Sequence, residues 1–456
     1  MASSNISRDL GSGSVKKTML HLAVPAVVAQ VINLLYNIVD RIYIGHIPEV
    51  GGAALTGVGL CAPILMLITA FAMMPGTGGA PRAAIAMGRG SHKEAEHIMG
   101  NCFTTLMLFA VLLTASFYVF APPLLRLFGA SDSTLPYAVD YCRIYVLGSV
   151  FVLTVMGMNP FVTTQGFAKI SMLTTIIGAV INIILDPLFI FTFGLGVKGA
   201  AIATVLSQAV SAVWVLLFLT GKKTVLRLRA ANLKLVPHII LPCLGLGVST
   251  FVMMSTESLL SISFTSSLAR FGGDLAVGAM TILNSLTLLL SMPLQGICQG
   301  GQPLISYNYG AGKADRVKEA FRCQLFTCVG YAGLFCLTVT LFPKTLAGIF
   351  TTDTALVNYA AWAMRIFLGC AFTHGFQTAC QQAFLALGEA KISLLLACLR
   401  KLILLIPLIF IMPLFFADKV FAVFLAEPVS DVIAAAVTTV TFLTQFKKIL
   451  AAITKR

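Results

Sequence analysis

Long apolar stretches alternate with short polar connections along the whole chain. A helix needs about 20 mostly apolar residues to cross the hydrocarbon core of a bilayer. Twelve stretches reach that length, near residues 18–44, 53–80, 97–121, 136–158, 169–192, 198–220, 238–268, 274–300, 317–342, 354–385, 391–416 and 420–446. Several are longer and contain proline, so tilted and kinked spans are expected. The pattern predicts an all-α integral membrane protein with twelve transmembrane helices. Lys16-Lys17 ahead of the first stretch reads as the flank of a first spanning helix, because the run is long and carries Asp40.

The sequence also repeats itself. Gly78-Gly79-Ala80-Pro81 returns as Gly300-Gly301-Gln302-Pro303. In the same register Gly88 and Gly90 meet Gly310 and Gly312, and Arg143-Ile144 meets Arg365-Ile366. Ala168-Lys169-Ile170-Ser171 meets Ala390-Lys391-Ile392-Ser393. Six spans per half is an even number, so both halves start on the same side of the membrane. This predicts two pseudo-symmetric six-helix bundles around a central cavity, as in duplicated transporters. The expected division is an N-terminal lobe at 1–221, a cytoplasmic linker at 222–237 and a C-terminal lobe at 238–456.

Composition narrows the picture. Of 456 residues, 58% are apolar and 11% charged, against about 25% charged in soluble domains. The net charge of +14 is read through the positive-inside rule and not as a nucleic-acid footprint. With both termini in the cytoplasm, the inside segments hold 21 Lys and Arg and the outside ones six. The expected partners are therefore the lipid bilayer and small molecules, with no nucleic acid, and a monomer is expected. Eleven scattered cysteines lack any paired spacing and read as small apolar packing residues.

Ionisable residues at membrane depth are costly, about 2.5–3.5 kcal/mol each on insertion scales, and each needs a reason. Asp40 closes a polar stripe of Gln30, Asn33 and Asn37, with Tyr36 one turn earlier. Arg41 follows it, so a local ion pair is the plain alternative. Glu257 stands 15 residues after Pro242, as Asp40 stands 15 after Pro25. It is read as the second-half counterpart of Asp40, or as a partner of Arg270 or of a neighbouring helix. Asp186 lies in Asn182-Ile-Ile-Leu-Asp186-Pro187. Asn182 and Asp186 share a helical face, and Pro187 lacks an N–H, which frees a carbonyl. A carboxylate, an amide oxygen and loose carbonyls suit a proton or a Na⁺ ion. Leu404 and Leu408 stand opposite these two residues in the second half. Glu427 and Asp431 are four apart and are expected to close against Arg400 and Lys401. Neutral stripes of Asn284, Ser291, Gln295, Gln299 and Gln302, and of His374, Gln377 and Gln381, either line a cavity or bond between helices.

The chain resembles the multidrug and toxic compound extrusion (MATE) family, closest to its DinF-like and MepA-like bacterial branch. The marks are the Asn182-to-Pro187 motif, the Gly88 and Gly310 loops and Pro428-Val429-Ser430-Asp431. The resemblance implies efflux of cationic amphipathic compounds across a bacterial cytoplasmic membrane, driven by inward H⁺ or Na⁺ and needing no other cofactor. It places a proton or Na⁺ site on Asp40, Asn182, Asp186 and Thr204. It adds a polar network and substrate cavity from Tyr36, Asn37, Tyr141 and Asn159, to which the residue reading adds Glu257, Gln295 and Gln377. The tenth span carries no acid to complete a second-lobe Na⁺ site with Glu257. Among these residues there is no Ser-His-Asp set and no phosphate-binding loop, so neither an enzyme nor an ATP-driven pump is expected. The alternative is a lipid-linked oligosaccharide flippase, for which Arg143, Arg365 and Arg400 would have to hold a pyrophosphate.

Overall fold

The computed structural model describes residues 10–48 and 50–454, and all regular structure among them is helical. The first six crossings are α1 (Val15–Gly45), α2 (Gly52–Gly88), α3 (His92–Leu127), α4, α5 (Ala168–Thr192) and α6 (Gly196–Thr220). Helix α4 is a bent pair, Leu135–Leu147 and Ser149–Thr164, with a 55° break. A continuous helical run from Pro237 to Gly310 then breaks at Gly273, where φ is +62°. It is divided there into α7 (237–272) and α8 (274–310). Next come α9 (Ala314–Leu341), α10, α11 (Ala390–Leu414) and α12 (Lys419–Ala451). Helix α10 is again a bent pair, Thr354–Phe367 and Ala371–Ala386, with a 47° break. The twelve predicted spans are therefore present among the described residues, with limits within about ten residues of those expected; α2 and α8 run on to Gly88 and Gly310.

The two halves repeat in backbone detail. Gly90 and Gly312 end α2 and α8 with φ of +83° and +74°, and Gly166 and Gly388 end α4 and α10 with +91° and +81°. A side chain would strain each of these left-handed turns. The bent α4 and α10 occupy the same place in each half.

Two cores result. One joins α2 to α6 with Ile44, Leu226, Ile240 and Cys243. The other joins α8 to α12 with the later part of α7, and takes in Leu10, Val15, Met19 and Leu22. Helices α1 and α7 thus each begin in the opposite lobe's core and end in their own. Their lead-in segments are tied down accordingly. Arg316 and Lys313 donate to the carbonyls of Leu10, Gly11, Ser12 and Gly13, and Asn308 Nδ2 donates to Leu10 at 2.8 Å. The 222–237 linker is held by the first lobe: Gln165 Oε1 accepts from Thr224, Val225 and Leu226, and Asn101 Oδ1 accepts from the Val236 N–H.

The lobes meet where small residues let backbones approach. A Cβ on Gly88 would lie 2.1 Å from the Tyr307 carbonyl oxygen, and one on Gly310 2.1 Å from that of Ile85. Gly78 and Gly247 make equally close α2–α7 crossings, and Gly296 and Gly300 close α8–α1 crossings. All of these lie toward the end carrying the linker and the residue 10–14 lead-in. Two inter-lobe hydrogen bonds cap this seal at matching depth, Gln30 to Gln299 and Thr77 to Thr250, each 3.2 Å. Beyond them the polar residues Asn37, Glu257, Asn284 and Gln295 stay exposed within apolar helices. In a membrane protein such side chains face a water-filled cavity.

Candidate functional site

The first lobe carries an acidic cluster between α1, α4, α5 and α6. Apolar periodicity buries one face of α5, and Asn182 and Asp186 fall on that face, both fully buried. Pro187 supplies no N–H, and the helix widens into a π-helical turn over Leu188–Thr192. That distortion sits directly beyond the carboxylate. Asn182 Nδ2 donates to Asp186 Oδ1 at 3.1 Å and reaches Thr204 Oγ1 at 3.4 Å. Thr204 Oγ1 in turn donates to the Ala200 carbonyl at 3.0 Å.

From α1, buried Asp40 brings its carboxyl within hydrogen-bonding reach of Asp186. Among the described residues no ion pair joins Asp40 to Arg41, so the local pairing alternative is not realised. Two carboxylates this close repel unless a proton or a cation lies between them. Asp40 Oδ1, Asp186 Oδ2 and Asn182 Oδ1 are all buried and have no hydrogen-bond partner. A buried acceptor left unpaired costs about 1–3 kcal/mol. Three oxygens from two carboxylates and an amide form a hard donor set, the kind that binds a small hard cation or a proton.

Tyr36, Tyr141 and Tyr145 lie within electrostatic reach of Asp40. Tyr141 stacks on Tyr145 with centroids 6.1 Å apart. Tyr145 was not among the sequence candidates, although it is one helical turn from Tyr141. Asn159 is half-buried, donates to the Ser171 carbonyl at 3.3 Å, and leaves its own Oδ1 unpaired. Asn37 turns outward and donates to the Asn33 carbonyl at 2.6 Å. The structure therefore gathers Asp40, Asn182, Asp186, Thr204 and the tyrosines, and leaves Asn37 outside this cluster, exposed toward the cavity.

The second lobe differs. Glu257 does not pair with Arg270; it accepts from Lys401 Nζ on α11. Arg400, the neighbour of Lys401, takes both acids of α12. Its Nε donates to Asp431 Oδ1 at 2.7 Å and its Nη2 to Glu427 Oε1 at 3.0 Å. The expected network of four residues is thus split, with Arg400 satisfying both acids and Lys401 turned to α7. Gln377 is buried with Oε1 unpaired, and Gln381 Nε2 donates to Met253 Sδ at 3.0 Å. Gln295 is exposed on α8.

The MatE family model matches residues 25–188 and 249–411. Multidrug export protein MepA of Staphylococcus saprophyticus is 24% identical over 400 residues, covering 88% of this chain and 87% of that protein. A crystal structure of MATE in the bent conformation superposes with a TM-score of 0.92 at 22% identity, covering 98% of this chain and 99% of that one. The outward-facing conformation of a multidrug resistance MATE family transporter of the MOP superfamily superposes with a TM-score of 0.90 at 23% identity, covering 97% and 98%. At these identities the structures establish a shared fold.

Proposed function

The chain belongs to the MatE family, and we propose that it is a secondary active multidrug exporter of the bacterial cytoplasmic membrane, exchanging cationic amphipathic compounds for H⁺ or Na⁺. The observation that carries this reading is the trio of unpaired buried oxygens on Asp40, Asn182 and Asp186. The relatives named for multidrug export add support. With both termini in the cytoplasm, the seal at Gly88 and Gly310 closes the cytoplasmic side and the cavity opens outward.

The mechanism follows from where the acids sit. Asp40 is on α1, and Asp186 and Asn182 are on α5. A proton or Na⁺ entering from outside relieves repulsion between the two carboxylates and draws α1 onto α5. Pro25 and the distorted end of α5 provide places for the helices to bend. Repacking α1 in the first lobe expels a bound cationic compound, and loss of the ion inward resets the site. The membrane potential contributes about 2.3 kcal/mol per charge per 100 mV. Flipping of a lipid-linked oligosaccharide is less well served, because Arg400 is already engaged by two carboxylates.

The test is ethidium efflux from proteoliposomes under separately imposed H⁺ and Na⁺ gradients. Wild type is expected to respond to at least one gradient. Asp40→Asn and Asp186→Asn are expected to lose that response while keeping a monodisperse, folded protein. Full gradient-driven transport by Asp186→Asn would refute the coupling role.

A further inference from the structure

The second lobe holds a cation of its own. Lys401 Nζ reaches across from α11, donates to the Glu257 carboxylate and touches the Met253 carbonyl oxygen at 3.4 Å. The pair is asymmetric: the Lys401 side chain is 6% exposed and that of Glu257 54%. The ammonium approaches from inside the protein while the carboxylate stays open to the cavity. Arg400 cannot substitute for Lys401, because Glu427 and Asp431 occupy it. On the facing stretch of α10 lie buried polar atoms that nothing satisfies. Gln377 Oε1 and His374 Nδ1 are buried without partners, on the face of α10 whose next turn, at Gln381, contacts Met253. Lys401 rises from a π-helical turn over Leu399–Leu405, a distortion common at functional sites.

We propose that Glu257, with Gln377 and His374, forms a second-lobe site for organic cations, and that Lys401 is its resident tethered cation, which an incoming amine or amidinium group must displace. The ligand class follows from the donors required. A displacing group must carry positive charge for Glu257 and an N–H donor for Gln377 Oε1, and in the Nε2–H tautomer His374 Nδ1 accepts a second. An alkali ion would have to shed its hydration shell for one carboxylate and one amide oxygen, a poorer oxygen set than the two carboxylates and amide of the first lobe, so the tethered ammonium excludes it while admitting organic cations. Lys401 is then a specificity-determining residue. Displaced, its ammonium stays buried beside the Met253 carbonyl, which raises the cost of ligand entry and sets the affinity. This inference rests on the reading of the protein as an exporter of cationic compounds.

The experiment is equilibrium binding of ethidium to purified protein, by fluorescence anisotropy with no ion gradient, alongside thermal shifts in NaCl against choline chloride. Lys401→Met is expected to bind ethidium at least about fivefold tighter, the size of the smaller coupling free energies measured between two bound groups. It is also expected to gain a Na⁺-specific thermal shift. Glu257→Gln and Lys401→Met/Glu257→Gln are expected to bind equally weakly. Lys401→Gln, which keeps a donor for Met253, serves if the methionine variant does not fold. Unchanged or weaker ethidium binding by folded Lys401 variants, or a double variant as tight as Lys401→Met, overturns the proposal. If wild type still binds and exports ethidium in that case, only this inference fails. If no protein binds any organic cation, the exporter reading fails with it.

Discussion

Asn182 Nδ2 donates to Asp186 Oδ1 at 3.1 Å, and this bond leaves Asn182 Oδ1 and Asp186 Oδ2 as unpaired buried acceptors. The amide orients the carboxylate and at the same time contributes an oxygen. Asn182→Asp keeps the oxygen but replaces the amide donor with a third acid. Asn182→Ala removes both. We expect Asn182→Ala to reduce gradient-driven efflux about tenfold or more, matching the loss of one charge-assisted hydrogen bond of roughly 1.5–3 kcal/mol. Initial rates in proteoliposomes at saturating gradient measure this. Wild-type rates in that variant would mean Asp186 needs no orienting partner.

The glycine crossing predicts a conformational effect. Gly88→Ala places a methyl group 2.1 Å from the Tyr307 carbonyl oxygen, and Gly310→Ala does the same at Ile85. Backbone cannot rotate away as a side chain can, so α2 and α8 must separate. Overpacking of this kind costs about 1–3 kcal/mol. Each variant should lower the thermal midpoint of this closed-seal state and increase trypsin cleavage in the 222–237 linker region. A variant with unaltered midpoint and cleavage would show that the two helices are not in contact there.

How far the site was legible from the sequence depends on direction along or across helices. Periodicity placed Asn182 and Asp186 on one face, and the repeat showed that Leu404 and Leu408 leave the second lobe without a matching pair. Both are statements along a single helix. Lateral neighbours are not encoded in periodicity. For that reason the sequence could name Arg41 beside Asp40 and Arg270 for Glu257, and could offer a neighbouring helix for Glu257 only without naming its residue, whereas packing brings Asp186 to the first and Lys401 to the second. The hold of Arg316 on the Leu10–Gly13 carbonyls joins residues some 300 positions apart and has no local signature.

That hold predicts a released lead-in segment. Arg316 is the main donor to residues 10–13, with Lys313 and Asn308 beside it. Arg316→Ala should raise hydrogen–deuterium exchange of residues 10–18 while α3 is unaffected. If the segment must leave the second lobe for the sealed end to open, the same variant should speed the return step of the proposed cycle. Unchanged exchange would show that Leu10 burial alone fixes the segment.

The linker anchor tests stability rather than transport. Gln165 is buried and its Oε1 accepts from Thr224 Oγ1 at 2.7 Å and from the Val225 and Leu226 N–H groups at 2.8 Å each. Gln165→Leu conserves volume but leaves the two backbone N–H groups unpaired, and these cannot turn to water without moving the chain, whereas the Thr224 hydroxyl keeps the Leu226 carbonyl oxygen at 2.8 Å as its acceptor. The expected loss in chemical or thermal unfolding is about 2–4 kcal/mol, from two unmade hydrogen bonds at roughly 1–3 kcal/mol with partial rescue by solvent.

The Arg400 network is the most sensitive point of the second lobe. One guanidinium serves two acids on α12, and Ser430 Oγ donates to the Arg400 carbonyl oxygen at 3.0 Å. Arg400→Met leaves Glu427 and Asp431 facing each other without a counter-charge. Breaking a buried pair in this way costs about 3–5 kcal/mol, whereas replacing all its members with neutral groups costs far less. Arg400→Met should therefore express poorly or melt well below wild type. Arg400→Met/Glu427→Gln/Asp431→Asn should recover most of the lost midpoint. If the triple variant retains ethidium efflux, the network is a structural tie. If it folds but does not transport, the charges of α12 take part in the cycle. A triple variant no more stable than Arg400→Met would show that the three side chains do not act as one electrostatic unit.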